Sequence, residues 1–374
     1  FFIKYGFPKF LIKILFIPFV IGLIHILIGN NLSFTFTKVF GGIILTLLFS
    51  YGWISYFEFN ISKIFEWYCW CCWVLVLVAL IQIYSFIIGF EAGYNFSWLL
   101  NKWSFVNGGL IGFRVNSLLS EPTYLATALA PAIYVSTKNL ISKSNYIFSK
   151  YQSITILVVC ILTTSSVGFL GILISILLAT ETIRLRYVLF GLFISILTFS
   201  VAYNNVKDFK SRVDAALGLW VNNDFRLSNT NNSSFVLYNN LHVAQENLKE
   251  HPIFGTGLGS HETAFKRHTL TKTIIQYDFE FNVKDGNSLF IRLCTETGIF
   301  GLSFILLVIV RGFIYRIDSS SQEQNTRKQI SQAFFVLIVL VLVRQGNYML
   351  NGLPLVFLLY YYNSVQYKDL IIEK

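Results

Sequence analysis

The feature that most constrains this chain is the length of its uncharged apolar runs. Between Val39 and Phe57, between Trp67 and Phe90 and between Tyr187 and Val206 there is no Asp, Glu, Lys or Arg. A helix that crosses a bilayer core needs about 20 such residues. In hydrocarbon the backbone must satisfy its own hydrogen bonds, which a helix does within one segment. Charged residues make up only 13% of the 374, where a soluble domain carries about a quarter. The chain belongs to the membrane class.

The pattern predicts an all-α fold, a polytopic transmembrane bundle of about ten spans with one long periplasmic loop containing short helices. The spans are expected at residues 10–29, 38–56, 66–90, 115–137, 151–163, 166–180, 187–203, 288–310, 329–344 and 351–365. This divides the chain into N-terminal transmembrane helices (1–203), the long loop (204–286) and C-terminal transmembrane helices (287–374). The polar run Thr163-Thr164-Ser165-Ser166 ahead of Gly168 splits one apolar stretch into two short helices. The chain starts at Phe1 rather than Met, so further residues, and spans among them, are expected before it.

Charge distribution orients the map. With the N-terminus inside, the inner connections hold Lys63, Lys138, Lys143, Lys150, Arg184, Arg186, Arg311, Arg327 and Lys328. The short outer loops hold only Lys38, Lys102 and Arg114. Such an excess marks the cytoplasmic side. The net charge of +10 therefore reflects span ends and not a nucleic-acid surface, since no basic stripe interleaved with aromatics occurs. The segment 204–286 carries nine basic and nine acidic residues, and long loops translocate largely regardless of charge. Within it, 234–248 reads as an amphipathic helix that ends in the flexible turn Gly255–Gly259.

Cys69, Cys71, Cys72, Cys160 and Cys294 lie within or at the ends of apolar segments, which suits packing rather than a disulfide framework or a zinc site. The histidines lack metal-ligand spacing. His25 reads as an interior contact, and His251 and His261 are candidate bases. Asp278-Phe-Glu280 is a triplet too common by chance to define a metal site. No metal and no cofactor is expected.

Ionisable residues at span edges are costly and mark candidate sites. One cluster is Arg114-Val-Asn-Ser-Leu-Leu-Ser-Glu121-Pro122-Thr123-Tyr124. If helical, Arg114 and Glu121 share a face, and Pro122 kinks the span beside a cavity. A second is Asp285-Gly286-Asn287 followed by Arg292 and Glu296, four apart on one face. A structural ion pair is the alternative reading in both. Arg212, Arg226 and Arg344 form a third group. Arg presents a planar fork that matches phosphate oxygens and keeps its charge, so several Arg on one outward cavity would suit a diphosphate.

Three stretches resemble the O-antigen polymerase (Wzy) and O-antigen ligase family of integral membrane glycosyltransferases. They are Arg114 to Ala126 with its Ser-Glu-Pro-Thr core, His251-Pro-Ile-Phe-Gly-Thr-Gly-Leu-Gly259, and Asp285-Gly-Asn-Ser-Leu-Phe through Gly298-Ile-Phe-Gly301. With the hydropathy layout the likeness covers most of the chain from about residue 90 onward. Two positions depart from it. Ser165-Ser166-Val167 stands where the family often has Ser-Arg-Gly. Gly286-Asn287 stands where ligases carry His-Asn, which favours the polymerase branch.

The resemblance implies a bacterial inner-membrane enzyme with its site facing the periplasm. Undecaprenyl-diphosphate-linked oligosaccharide would be both donor and acceptor, and the product would be O-antigen or capsular polysaccharide. A chain-length regulator protein is a further implied partner, and nucleic acid is not. Glu121, Arg114 and Arg292 would be catalytic. Glu121 would orient or deprotonate the acceptor hydroxyl, and the two arginines would contact the diphosphate. Arg212, Arg226, Arg344, Asn287 and Glu296 would bind substrate. The alternatives are an O-antigen ligase acting on lipid A-core and a flippase for polysaccharide lipids.

Overall fold

The computed structural model describes residues 9–180, 200, 203–204, 207–222, 232–270, 281–315 and 321–372. Among them the apolar runs are helices and no strand forms; an isolated bridge joins Asn107 and Phe113. The helices are α1 (Lys9–Leu27), α2 (Ser33–Tyr56), α3 (Ile61–Ile87), α4 (Pro122–Ala128), α5 (Ala130–Ser142), α6 (Lys150–Leu162) and α7 (Ser166–Ala179). After them come α8 (Lys207–Trp220), α9 (Asn232–Glu250), α10 (His261–His268), α11 (Leu289–Gly312), α12 (Gln322–Arg344) and α13 (Leu353–Ile372).

Local chemistry sets the boundaries. Asn60 caps α3 by accepting from the N–H of Lys63 at 3.1 Å. Ser149 and Gln152 form a reciprocal capping box at α6. Between α6 and α7 the chain turns at Thr163–Ser165, as the polar run predicts. Thr163 Oγ1 bonds back to the Cys160 carbonyl at 2.7 Å, and Thr164 takes a φ of 45°.

Among the described residues four helices, α2, α3, α11 and α12, are long and apolar enough to cross a membrane, and residues 11–27, α6 and α7 are shorter apolar helices. The expected ten spans thus include segments too short to cross by length alone. The span expected at 115–137 is corrected. Residues 114–121 are not helical, and the segment is two helices, α4 and α5, joined at Leu129. The span expected at 187–203 lies almost wholly outside the described residues.

The helices alternate between two ends. At one, here the basic end, Asn139 of α5 holds the Tyr146 and Phe148 carbonyls, and Lys138 reaches the Ala179 carbonyl. There too Asn363 and Gln366 of α13 bond to the carbonyls of Arg327 and Phe59. At the other, the loop end, the α1–α2 turn meets the segment 251–267, and Thr123 meets Ser165. Helix α5 runs through the middle, buried without a break from Ala130 to Thr137 and packed on α6, α7 and α12. Its Ala and Ser side chains let backbones approach, the packing that holds helices together in lipid. Tyr134 of α5 donates to Gln332 Oε1 of α12. Helices α8, α9 and α10 pack around Leu219, Phe235, Val243 and Phe265, and α9 lies on the first half of α11.

Candidate functional site at the loop end

Three segments far apart in sequence bring polar residues together at the loop end: the start of α4, the start of α11 and the turn after α12. Glu121 is extended (φ −143°, ψ 152°), exposed, and holds the N-cap position of α4 through its backbone carbonyl, with its side chain making no capping hydrogen bond. Pro122 occupies the first helical position, where its missing N–H leaves no bond unmade. The expected helical pairing of Arg114 with Glu121 and the expected kink at Pro122 are therefore both corrected.

The charge of Glu121 reaches both Tyr124 and Arg344, the last residue of α12, but no ion pair forms. Asp285 also acts on Tyr124. The next residue after Arg344 ties the helices directly, as Gln345 Nε2 donates to Thr127 Oγ1 at 3.0 Å. Arg114 stands on the neighbouring α6–α7 turn, where its Nε donates to the Thr163 carbonyl at 3.1 Å. Gln82, buried in α3, holds the segment after Arg114. Its Oε1 accepts from the backbone of Asn116 and Ser117, and its Nε2 donates to Asn116 Oδ1.

Arg292 and Glu296 pair as their spacing predicts, at 2.8 Å, with side chains 6% and 0% exposed. Arg292 also donates to the Gly346 carbonyl at 2.9 Å and lies 4.4 Å from the centroid of the Tyr348 ring. Its fork is thereby committed to the turn after α12. The second oxygen of Glu296, the Tyr348 hydroxyl and Gln345 Oε1 are buried and meet no hydrogen-bond geometry, although Tyr348 and Glu296 are close. Burial, with Glu296 second, keeps the Tyr348 phenol protonated well above its ordinary range. Asn287 (φ 59°) closes a turn in which its N–H donates to Asp285 Oδ1 at 3.0 Å. Ser288 then caps α11 and donates to the Leu342 carbonyl at 2.7 Å.

The segment 252–260 is not a free turn, as the sequence suggests, but is inserted into α11. That helix breaks at Gly298 (φ 59°, ψ −156°). The N–H groups of Thr256 and Gly257 donate to the carbonyls of Thr295 and Glu296 at 3.1 and 2.8 Å. Ile299 and Phe300 donate to the carbonyls of Pro252 and Ile253, both at 2.9 Å. The break is thus satisfied on both sides by loop backbone, which makes irregular backbone tolerable at this depth.

His261, a candidate base, is fully buried. Asn240 donates through Nδ2 to two carbonyls, so its Oδ1 can only accept, and His261 Nε2 must carry the proton at 2.9 Å. Nδ1 then faces the Thr295 hydroxyl at 3.0 Å. Burial, and secondarily Arg292, push the imidazole down to about 3. It is a neutral bridge between α9 and α11. His251 instead lies edge-on to His25, with ring centroids 5.3 Å apart, and both share the Asn30 amide.

Of the sequence-predicted residues, Glu121, Arg344, Asn287, Arg292 and Glu296 come together and Arg114 stands on the adjoining turn. Arg212 lies on α8 with its side chain outside the described residues, as Arg226 does entirely. Gly346, Tyr348 and Gln82 belong to the arrangement without any local signal, because their partners are distant in sequence. A cavity of about 30 Å³ lies beneath the cluster, lined by Tyr68, Tyr124, Thr127, Gln345 and Leu353 among others. A far larger one, of about 920 Å³, opens at the basic end, away from this cluster. Compared with protein-family models and with curated proteins, the chain matches none significantly.

Proposed function

We propose that this chain is a membrane glycosyltransferase that polymerises lipid-diphosphate-linked oligosaccharides. The reading rests on one observation, the gathering of Glu121 and Arg344, with Arg114 beside them, at the less basic end of an apolar helical bundle. By the positive-inside tendency that end faces away from the cytoplasm, and in a bacterium it would face the periplasm. The lipid would be undecaprenyl diphosphate and the product an O-antigen or capsular glycan.

The donor is already activated, so the protein must position both partners and stabilise charge on the leaving group. An acceptor hydroxyl attacks the anomeric carbon and forms the new glycosidic bond. Its proton passes to the Glu121 carboxylate, and the bond from carbon to diphosphate oxygen breaks. The lipid diphosphate leaves with the electron pair, beside Arg344 and Arg114. Arg292, bound on two sides, positions the Gly346 turn that follows Arg344 and does not itself contact phosphate.

The test is a deletion strain complemented with Arg114→Ala, Arg344→Ala or Glu121→Gln, with surface polysaccharide resolved on a gel. Single repeat units on lipid A-core support a polymerase. Absence of any glycan there would point to a ligase, and a normal ladder from all three variants would remove the site. The break at Gly298 gives a flippase some support, since transporters use discontinuous helices. Repeat units trapped on the cytoplasmic face in the deletion strain would favour that reading.

A further inference from the structure

The cavity at the basic end plays no part in the chemistry above. Its wall follows one stripe of α3 through Lys63, Glu66, Trp67, Trp70 and Val74, closed by Tyr146. These positions recur at helical spacing, and the five on α3 are all exposed. Lys63 and Glu66 occupy the first two turns, and the uncharged run begins at Trp67. With a rise of about 1.5 Å per residue, the two charges sit within a few ångströms of where the apolar surface starts. Charged side chains followed directly by tryptophans mark headgroup depth. The cavity therefore opens sideways at the level of lipid headgroups.

Its polar content is balanced and uncommitted. Lys63 Nζ and the Glu66 carboxylate form no ion pair and no hydrogen bond with any described residue, although they are three apart on one helix. Behind the wall, Arg327 follows the lining residue Thr326. Its Nε and Nη1 are buried without a partner, and Nη2 reaches Glu323 at 3.4 Å. Burial holds the Tyr146 phenol far above its ordinary range, with Cys69 and Glu66 adding to the shift and Arg327 opposing it. Glu66 and Arg327 therefore both act on one wall residue. Lys63 and Glu66, the charged residues of the lining, sum to zero, a match for a ligand that carries both signs. A purely anionic headgroup would meet Glu66 as a repulsive neighbour.

We infer that this cavity binds an aminophospholipid, with its phosphate at Lys63, its ammonium at Glu66 and its first methylenes along Trp70 and Val74. The volume of about 920 Å³ is within the range of small-molecule sites. The lipid would link α3 to the α5–α6 turn at Tyr146 and the start of α12 at Thr326.

The full chain purified in detergent is offered an equimolar mixture of phosphatidylethanolamine and phosphatidylglycerol, and retained lipid is counted by native mass spectrometry. Wild type retains phosphatidylethanolamine in preference. Glu66→Gln lowers that preference about tenfold, the weight of one charge-assisted contact, and Lys63→Ala, whose phosphate contact both lipids share, lowers the retention of both about tenfold. Both residues are exposed, so the variants keep the fold, which circular dichroism checks. Lys150→Ala, an exposed basic-end residue outside the cavity, leaves retention unchanged. Equal retention of the two lipids by wild type, unaltered preference in Glu66→Gln, unaltered retention in Lys63→Ala, or an equal loss in Lys150→Ala overturns the assignment.

Discussion

Gly255 and Gly298 meet backbone to backbone. A Cβ on Gly298 would stand 2.6 Å from the amide nitrogen of Gly255, and one on Gly255 would stand 2.6 Å from the carbonyl carbon of Glu296. Both residues have positive φ, 62° and 59°. The loop can enter the break in α11 because neither side carries a side chain.

Alanine at either glycine is predicted to loosen that insertion. Positive-φ strain costs about 1–3 kcal/mol and overpacking about 1–3 kcal/mol more. Thermal unfolding in detergent should show a clear fall in Tm, with faster proteolysis near residues 252–260. Gly41→Ala is the control, since a Cβ there meets nothing and alanine favours a helix interior. A fall of equal size in the control would refute the account.

The Arg292–Glu296 pair is predicted to be structural. Glu296→Ala leaves a buried guanidinium without its partner, which costs about 3–5 kcal/mol, whereas a double apolar replacement is often close to neutral. Arg292→Met with Glu296→Leu should therefore recover most of the stability that the single change loses. Arg292→Lys should not substitute, because a lysine cannot bond to Glu296 and the Gly346 carbonyl as a planar fork over Tyr348. Chemical denaturation of the variants checks the order.

His261 predicts an acid sensitivity. The folded value of about 3 lies below the ordinary 6.5. The unfolded chain therefore takes up a proton first as pH falls. The contribution is fully present above pH 6.5 and is lost between 6.5 and about 3, at up to about 1.4 kcal/mol per pH unit. His261→Gln should flatten the stability profile between pH 6.5 and 5, where few carboxylates titrate. Parallel profiles for the two proteins would contradict this.

Glu121 and Arg344 separate stability from function. Glu121 is exposed, and neither residue makes an ion pair with a described one. Glu121→Gln should leave the unfolding free energy within about 0.5 kcal/mol of wild type, as surface changes do, and Arg344→Ala, half-buried but without an ion pair, should cost little more. Loss of a general base lowers turnover about 10²–10⁴-fold, which would abolish long glycans on the gel. A large Tm shift in Glu121→Gln would mean that the residue holds the fold instead.

Much of the architecture is legible in the one-dimensional pattern. Uncharged runs require helices, Thr163–Ser166 divides α6 from α7, and 234–248 lies within α9 as its amphipathic spacing suggests. Arg292 and Glu296 pair at i, i+4 as spacing alone implies. The region around Arg114 is not legible in the same way. Its apolar content resembles that of a span, yet Gln82 of α3 draws the backbone of Asn116 and Ser117 out of helical form. Nothing within the segment shows a partner some 35 residues away.

Hydropathy and local capping thus determined the class of fold and the helix boundaries, because both depend on neighbours within a turn or two. Tertiary structure alone decided that α11 breaks at Gly298, that the Gly255–Gly259 segment fills the break, and that Arg292 spends its hydrogen bonds on Glu296 and Gly346. Each is a contact between backbone or charge at long range. In such contacts burial makes an unpaired group costly, so the partner present in space, and not the residue beside it in sequence, fixes what a side chain is free to do.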